Sequence, residues 1–250
     1  YDQKINMNYF EYFIYLHKKL LKNISNKLFY KKKSLNFNIK KIKKFILFLD
    51  SYQPEAISNP LQFEFENHLL IIENLLAKLP DDYDLVFKEH PGIFMSLGDG
   101  HLFRNHTYYK RLKFFDKIKF APVDYNTYDL IDNADAIATS GGTGGWEALI
   151  RGKIVISFGN SWYNDCHGVF NIRKSRDIDN VIDLILNKKN SSNQDDVRSY
   201  AYSIFENTFD FDDKILPSLN YEQNFKINNN LLHFLADNFY KSYKKNYNNN

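Results

Sequence analysis

Short apolar runs alternate with helix-forming segments from residue 43 to residue 187, and that alternation leaves few architectures open to the chain. Phe45-Ile46-Leu47-Phe48-Leu49 is of strand length and apolar at every position; runs at 83–88, 118–121, 134–138 and 153–157 are of similar length and mostly apolar. A strand without polar alternation is one covered on both faces, as in a parallel sheet. Between the runs lie segments with helical periodicity: about 62–79, stopped by Pro80, one near 107–115, one capped by Asn126 or Thr127 and running to Ile131, Trp146 to Ile150, ending at Gly152, and Asp177 to Leu186. Five strands separated by helices predict an α/β fold, a doubly wound, Rossmann-like parallel sheet with flanking helices on both faces.

The flanks read differently. Residues 8–30 carry Phe10, Phe13, Ile14, Leu16, Leu20, Leu21, Ile24 and Leu28 at helical spacing and end in lysines. Asp195–Thr208 and Asn229–Lys245 predict two closing helices, followed by an Asn-rich tail expected to be disordered. At 250 residues, 44% hydrophobic and 25% charged, the chain can bury one full core with helical appendages. A net charge of +3 is too small to argue for nucleic acid, although basic residues cluster between Lys18 and Lys44. That cluster reads either as a solvated helix face and linker or as an attraction to an anionic membrane surface. A lone cysteine, Cys166, excludes an internal disulfide and suits a reducing compartment. No run approaches the length of a membrane span. No metal-ligand spacing appears, and Cys166 beside His167 lacks the orienting third group a thiol nucleophile would need.

Chemistry concentrates where strands end, because ligands of doubly wound sheets sit beyond the carboxyl ends of the strands. The fourth strand runs into Thr139-Ser140-Gly141-Gly142-Thr143-Gly144-Gly145-Trp146-Glu147, which holds four of the ten glycines. A strand, a Gly/Ser/Thr turn and a helix start predict an anion site, with Ser140, Gly141, Thr143 and Gly144 as its groups. The spacing is neither G-x-G-x-x-G nor a P-loop. Strand one ends in Asp50-Ser51-Tyr52-Gln53-Pro54-Glu55 and strand two in Lys88-Glu89-His90-Pro91. A cation, an imidazole, hydroxyls and a helix start on one rim form a cradle for a diphosphate or phosphodiester. Lys88 reads as an anion ligand or a surface lysine, and His90 as a ligand or a turn residue. Glu147 either favours the helix dipole or accepts ribose hydroxyls. Glu55, set behind a proline with Gln53 nearby, is the candidate reacting carboxylate or else a helix cap. Gln53, Trp162 and Tyr163 are candidates for a sugar or base pocket, with loop packing as the alternative for the last two.

With these residues in place the chain resembles the capsule and surface polysaccharide biosynthesis proteins, bacterial glycosyltransferases of GT-B architecture. The matching words are Tyr52-Gln53-Pro54-Glu55-Ala56, Lys88-Glu89-His90-Pro91, Thr143-Gly144-Gly145-Trp146-Glu147-Ala148-Leu149 with Gly152-Lys153, and Phe158-Gly159-Asn160-Ser161-Trp162-Tyr163. They lie in order over roughly 45–170. The resemblance implies a cytoplasmic enzyme, peripheral at the inner face of the membrane, that moves a sugar from a nucleotide-sugar onto a glycan or lipid-linked acceptor. It implies neither a cofactor nor a metal, and contact with the polysaccharide assembly machinery. Similar transferases that use CMP-linked acidic sugars hold the nucleotide with a His-Pro word and a Ser/Thr-rich turn. By that likeness His90, Pro91, Ser140 and Thr143 would grip the donor phosphate, Glu147 would face the ribose, and Glu55 would stand at the reacting centre.

The chain departs from the family at Ser51, where a histidine is usual, and in the short stretch ahead of its first strand. The expected organisation is a helical segment and basic linker over 1–42, the remnant of an acceptor domain. The nucleotide-sugar-binding domain, the C-terminal half of a GT-B enzyme, follows over 43–190, and closing helices and tail over 191–250. Alternative readings are a non-catalytic nucleotide-sugar-binding or assembly subunit of a polysaccharide export system, a GT-B-fold nucleotide-sugar epimerase, and a polyol-phosphate polymerase.

Overall fold

β1 (Phe45–Leu49) is buried at every position because it lies at the centre of the sheet, paired in parallel with β2 (Asp84–Lys88) on one side and β4 (Ala136–Thr139) on the other. Leu47 stands opposite both Val86 and Ile137. β3 (Ile118–Phe120) extends the sheet beyond β2, and β5 (Val155–Ser157) beyond β4. A sixth strand, β6 (Val169–Asn171), follows β5, giving the all-parallel order β3-β2-β1-β4-β5-β6. This is the doubly wound, Rossmann-like sheet expected, with one strand more than the five read from the apolar runs. β6 is three half-buried residues after Gly168, too short to carry a periodicity of its own.

The computed structural model describes residues 8–54, 62–186 and 192–207. It forms two compact units, Tyr1–Val197 and Arg198–Asn250. Of the second, Arg198–Asn207 is described, all of it helical within α7 (Gln194–Asn207). The helix expected over 229–245 and the tail lie outside the described residues.

α1 (Tyr9–Ser34) opens on a capping box, in which the Asn8 side chain accepts from Glu11 N at 2.9 Å and Glu11 returns the bond to Asn8 N at 3.0 Å. The helix expected over 62–79 is broken in two: a 3₁₀ turn at Phe63–Glu66, then α2 (His68–Lys78). Asn67 breaks it by taking extended backbone and capping Leu69 N with its Oδ1. Further helices are α3 (His106–Lys113), α4 (Thr127–Asn133), α5 (Gly144–Ile150) and α6 (Asp177–Leu186). The core joins Ile46, Phe48, Leu85 and Phe87 of the sheet to Ile71, Ile72 and Leu75 of α2, Tyr109 and Leu112 of α3, and Ile178 and Ile182 of α6.

α1 meets the body of the first unit with a polar face. Its buried positions are Lys19, Asn23, Asn26, Tyr30 and Ser34. Asn23 Nδ2 donates to the carbonyls of Met95, Ser96 and Gly98, Asn26 to that of Arg104, and Lys19 pairs with Asp99 at 2.6 Å. Tyr30, buried against Phe87, Phe94 and Tyr109, donates to Ala121 O at 2.7 Å. The apolar residues whose spacing announced the helix mostly face outward.

Candidate functional site

In the observed strand order the chain reverses direction of growth between β1 and β4, and the crevice of a doubly wound sheet opens at that switch point. The segments leaving β1 and β4 meet there: Ser51 N donates to Ser140 Oγ at 3.0 Å, and Ser140 Oγ donates to Ser51 Oγ at 2.7 Å. Both serines are buried, so their hydroxyls stitch the two strand ends together.

The glycine-rich turn follows. Gly141 takes φ of +118°, which only glycine adopts without strain, and its N–H is held by Thr139 Oγ1. Gly145 is required for space: a Cβ there would lie 2.3 Å from Tyr163 Oη. That hydroxyl donates to Gly142 O at 2.5 Å, so Tyr163 is a buried strut under the turn. Gly144 starts α5 against Leu49. Thr143, at the N-cap, makes no capping bond to the backbone; its Oγ1 approaches Glu147 Oε1 at 3.5 Å. Among the described residues, the amides of Gly142 and Thr143 meet no backbone acceptor. Trp162 is half exposed and packs on Trp146 at 4.7 Å between ring centres, with Tyr163 at 5.4 Å.

At the end of β2 the side chains diverge. Lys88 is buried and gives its ammonium to Val123 O at 2.7 Å, tying β2 to the segment after β3; burial holds its pKa down against the pull of Asp124. His90 is exposed at the rim, its Nδ1 accepting from Gly92 N at 3.1 Å to cap the turn that Pro91 opens, its ring 6.1 Å from that of Tyr52.

Beneath this rim lies a charged network that periodicity does not announce. Arg104 is 1% exposed. Its guanidinium reaches Asp50 Oδ2 at 2.6 Å, Glu89 Oε2 at 3.0 Å and Gln53 Oε1 at 2.7 Å, while Tyr108 stacks on it at 4.5 Å. Asp50 also receives His68 Nδ1 at 2.5 Å and Tyr108 Oη at 3.2 Å. His68 Nε2 lies 2.8 Å from Gln62 Oε1, and Gln62 Nε2 donates to Ser140 O, which brings the network back to the switch point. Burial alone would raise the Asp50 pKa, but Arg104 and His68 overcome it and hold the carboxylate ionised. Glu89 shares the same guanidinium, and there burial wins over Arg104: its pKa is pushed up to about 7. Burial likewise keeps His68 below its usual value, against the attraction of Asp50. One buried cation thus serves two carboxylates: Asp50 stays ionised at neutral pH, while Glu89 is only partly so.

The structure therefore gathers Ser51, Gln53, Lys88, His90, Ser140 and the 141–147 turn at one edge of the sheet, and gives them different duties. His90, Thr143, Gly144, Glu147 and Trp162 reach the surface; Ser140, Lys88, Gln53 and Tyr163 are taken up by bonds within the protein. Glu55 lies outside the described residues. Asp50 and Glu89 stood within the strand-end words, but His68, Gln62, Arg104 and Tyr108 carried no signal, because each is a single polar residue in a loop or at a helix start. Two clefts flank the edge. One of about 580 Å³ is lined by Gln53, Glu66, His68, Arg104, Asn105 and Tyr108. Another of about 200 Å³, at the ends of β5 and β6, is lined by Phe65, Phe158, Gly159, Asn160, Asn171 and Arg173.

The family described as capsule polysaccharide biosynthesis protein matches residues 1–178. No curated protein matches the chain. Among solved structures it is similar to the UDP-GlcNAc 2-epimerase of Methanocaldococcus jannaschii in complex with UDP-GlcNAc and UDP, at 18% identity and a TM-score of 0.44 over 75% of this chain and 53% of that one. It is also similar to Thermosulfurimonas dismutans KpsC, a beta Kdo 2,7 transferase, at 23% identity and 0.36 over 64% and 52%. The S. aureus MnaA–UDP structure aligns at 18% identity and 0.39 over 61% and 40%. The chain spans about half the length of the first structures it matches.

Proposed function

The chain belongs to the capsule polysaccharide biosynthesis protein family, and from that premise we propose that it is the donor-binding part of a glycosyltransferase. It moves a sugar from a nucleotide-sugar, CMP-linked in this reading, onto a surface polysaccharide or its lipid-linked precursor. The observation that carries the proposal is the meeting of three strand-end segments, 50–54, 88–91 and 139–147, at the switch point of a parallel sheet.

In this reading the donor phosphates sit over the Gly142–Thr143 amides, with the His90 imidazole at the same rim. Negative charge develops on the leaving phosphate as the glycosidic bond breaks, and fixed amide dipoles stabilise it without reorganising. Lys88, committed to Val123 O, contributes its charge from behind the rim rather than as a direct ligand. Glu147 accepts ribose hydroxyls from one turn inside α5. The Trp146–Trp162 pair offers a face to the base or sugar. Glu55 is the proposed reacting carboxylate, as base towards the acceptor or as nucleophile towards the donor. Ser140 and Gln53 act through the frame: they hold the strand ends in register.

A second reading draws on Ser51. The position the family usually gives to histidine holds a hydroxyl locked to Ser140, which cannot take a proton from an acceptor at neutral pH. That favours a subunit that binds nucleotide-sugar without turning it over.

Calorimetric titration of the full chain with CMP, CDP, UDP and GDP tests both. We expect one nucleotide to bind, and His90→Ala to weaken it about tenfold, roughly 1.4 kcal/mol. A folded chain that binds none of the four refutes the donor-site reading. Binding without sugar transfer from the matching donor supports the second.

A further inference from the structure

We propose that α1 docks the protein onto an anionic lipid surface, lying flat in the headgroup layer. The inference goes beyond the donor-site reading and does not rest on it.

α1 turns its apolar side away from the protein. Phe10, Phe13, Ile14, Leu21, Ile24 and Leu28 are 37–72% exposed. Phe10 and Leu28 are separated by five helical turns, so these six residues form one stripe, roughly 27 Å long. The buried positions Lys19, Asn23, Asn26 and Tyr30 fall on the opposite side of the same helix.

That orientation is built in. Rolling α1 to bury its apolar stripe would break the three Asn23 bonds to the carbonyls of residues 95, 96 and 98. It would also break the Asn26 bond to Arg104 O, the Lys19–Asp99 pair and the Tyr30 bond to Ala121 O. Each would leave a buried polar group without its partner, so the stripe stays outside in the free protein.

Charge decides the occupant. By helical position Lys27 and Lys31 border the stripe on one side, and Lys18 and Lys32 on the other; all four are exposed. Among the described residues none of them forms an ion pair. Further along, Lys33 has its pKa lowered by burial and then by Lys113, Lys32 and Lys110, a crowding of positive charge at the C-terminal end of α1 and α3. A second copy packed on the stripe would bring these lysines against their own kind. A layer of anionic headgroups over acyl chains accepts both the apolar stripe and its lysine borders, as interfacial helices require. No helix among the described residues is long and apolar enough to cross a membrane. Tyr30, near the end of α1, bonds Ala121 O and lies 3.2 Å from Glu89 N, next to His90, so docking would hold the candidate donor rim close to the surface where a lipid-linked acceptor resides.

The test is co-sedimentation of the full chain with vesicles of phosphatidylcholine, alone or mixed with phosphatidylglycerol. We expect binding to the mixed vesicles, reversal by salt, and about tenfold weaker partitioning for Leu21→Glu/Leu28→Glu and for Lys27→Gln/Lys31→Gln. Circular dichroism on both exposed-site variants reports that they fold. Absence of binding, or equal binding to both vesicle types, overturns the proposal. So does a concentration-dependent dimer in light scattering that Leu21→Glu/Leu28→Glu dissolves, which would assign the stripe to a second copy. Nucleotide titration of the same variants should match the parent chain, so this proposal and the donor-site reading fail separately.

Discussion

Glu89 sits one residue before His90 and shares Arg104 with Asp50, and burial brings its proton into reach of neutral pH. Its carboxyl, buried with Arg104 and Tyr109, titrates at about 7 in the folded protein against an ordinary value of 4.5. Between those values the folded state binds more protons than the unfolded one, so stability falls as pH rises through the window and levels off above it. Glu89→Gln removes that component. Urea unfolding at several pH values from about 4.5 to about 7.5 should show the wild-type chain losing stability relative to the variant as pH rises. A difference that stays constant with pH would mean that the Glu89 carboxyl has the same pKa in the folded and unfolded chain.

At the level of single elements, the turn between β4 and α5 depends on what approaches it. Tyr163 comes from the loop after β5 and supports Gly142 from below, and it fits because Gly145 has no side chain. Gly145→Ala drives a methyl into the Tyr163 ring and hydroxyl. Overpacking of that kind costs about 1–3 kcal/mol, measurable as a lowered urea midpoint. Because the displaced strut lies under the proposed phosphate-binding amides, nucleotide affinity should fall alongside stability. A variant of unchanged stability and affinity would show that the strut is dispensable. α1 teaches a related lesson about periodicity. Its apolar spacing correctly announced a helix, yet the buried face is the one bearing Asn23, Asn26 and Lys19. Spacing identifies a face; the acceptors waiting on the neighbouring loop determine which face goes in.

Across the whole first unit, Arg104 joins segments far apart in sequence: Asp50 and Gln53 after β1, and Glu89 after β2, with His68 and Gln62 relaying to Ser140 after β4. Arg104→Leu leaves Asp50 ionised and buried without its main partner. Loss of one member of a buried pair costs about 3–5 kcal/mol, to be measured by denaturant unfolding. Replacing Arg104 together with both carboxylates by apolar residues should cost less than replacing the arginine alone, since no charge is then stranded. If the single variant is as stable as the wild type, the network does not hold the edge together.

By itself the sequence determined the class of fold and where its chemistry lies. Apolar runs of strand length, separated by helical periods, permit little besides a doubly wound parallel sheet, and the polar words at their ends then face one edge by topology alone. Those are local signals, carried by consecutive residues. The sixth strand was too short to give such a signal. Only the tertiary structure decided which residues of each word reach the rim and which are drawn into the interior. His90 and Thr143 stay outside, while Lys88 and Ser140 spend their polar atoms on Val123 and Ser51. The same holds for Arg104 and His68, solitary in sequence and central in space. A buried polar group must find a partner, and partners come from whatever segment the fold brings near, a matter of distance in space that no spacing along the chain encodes.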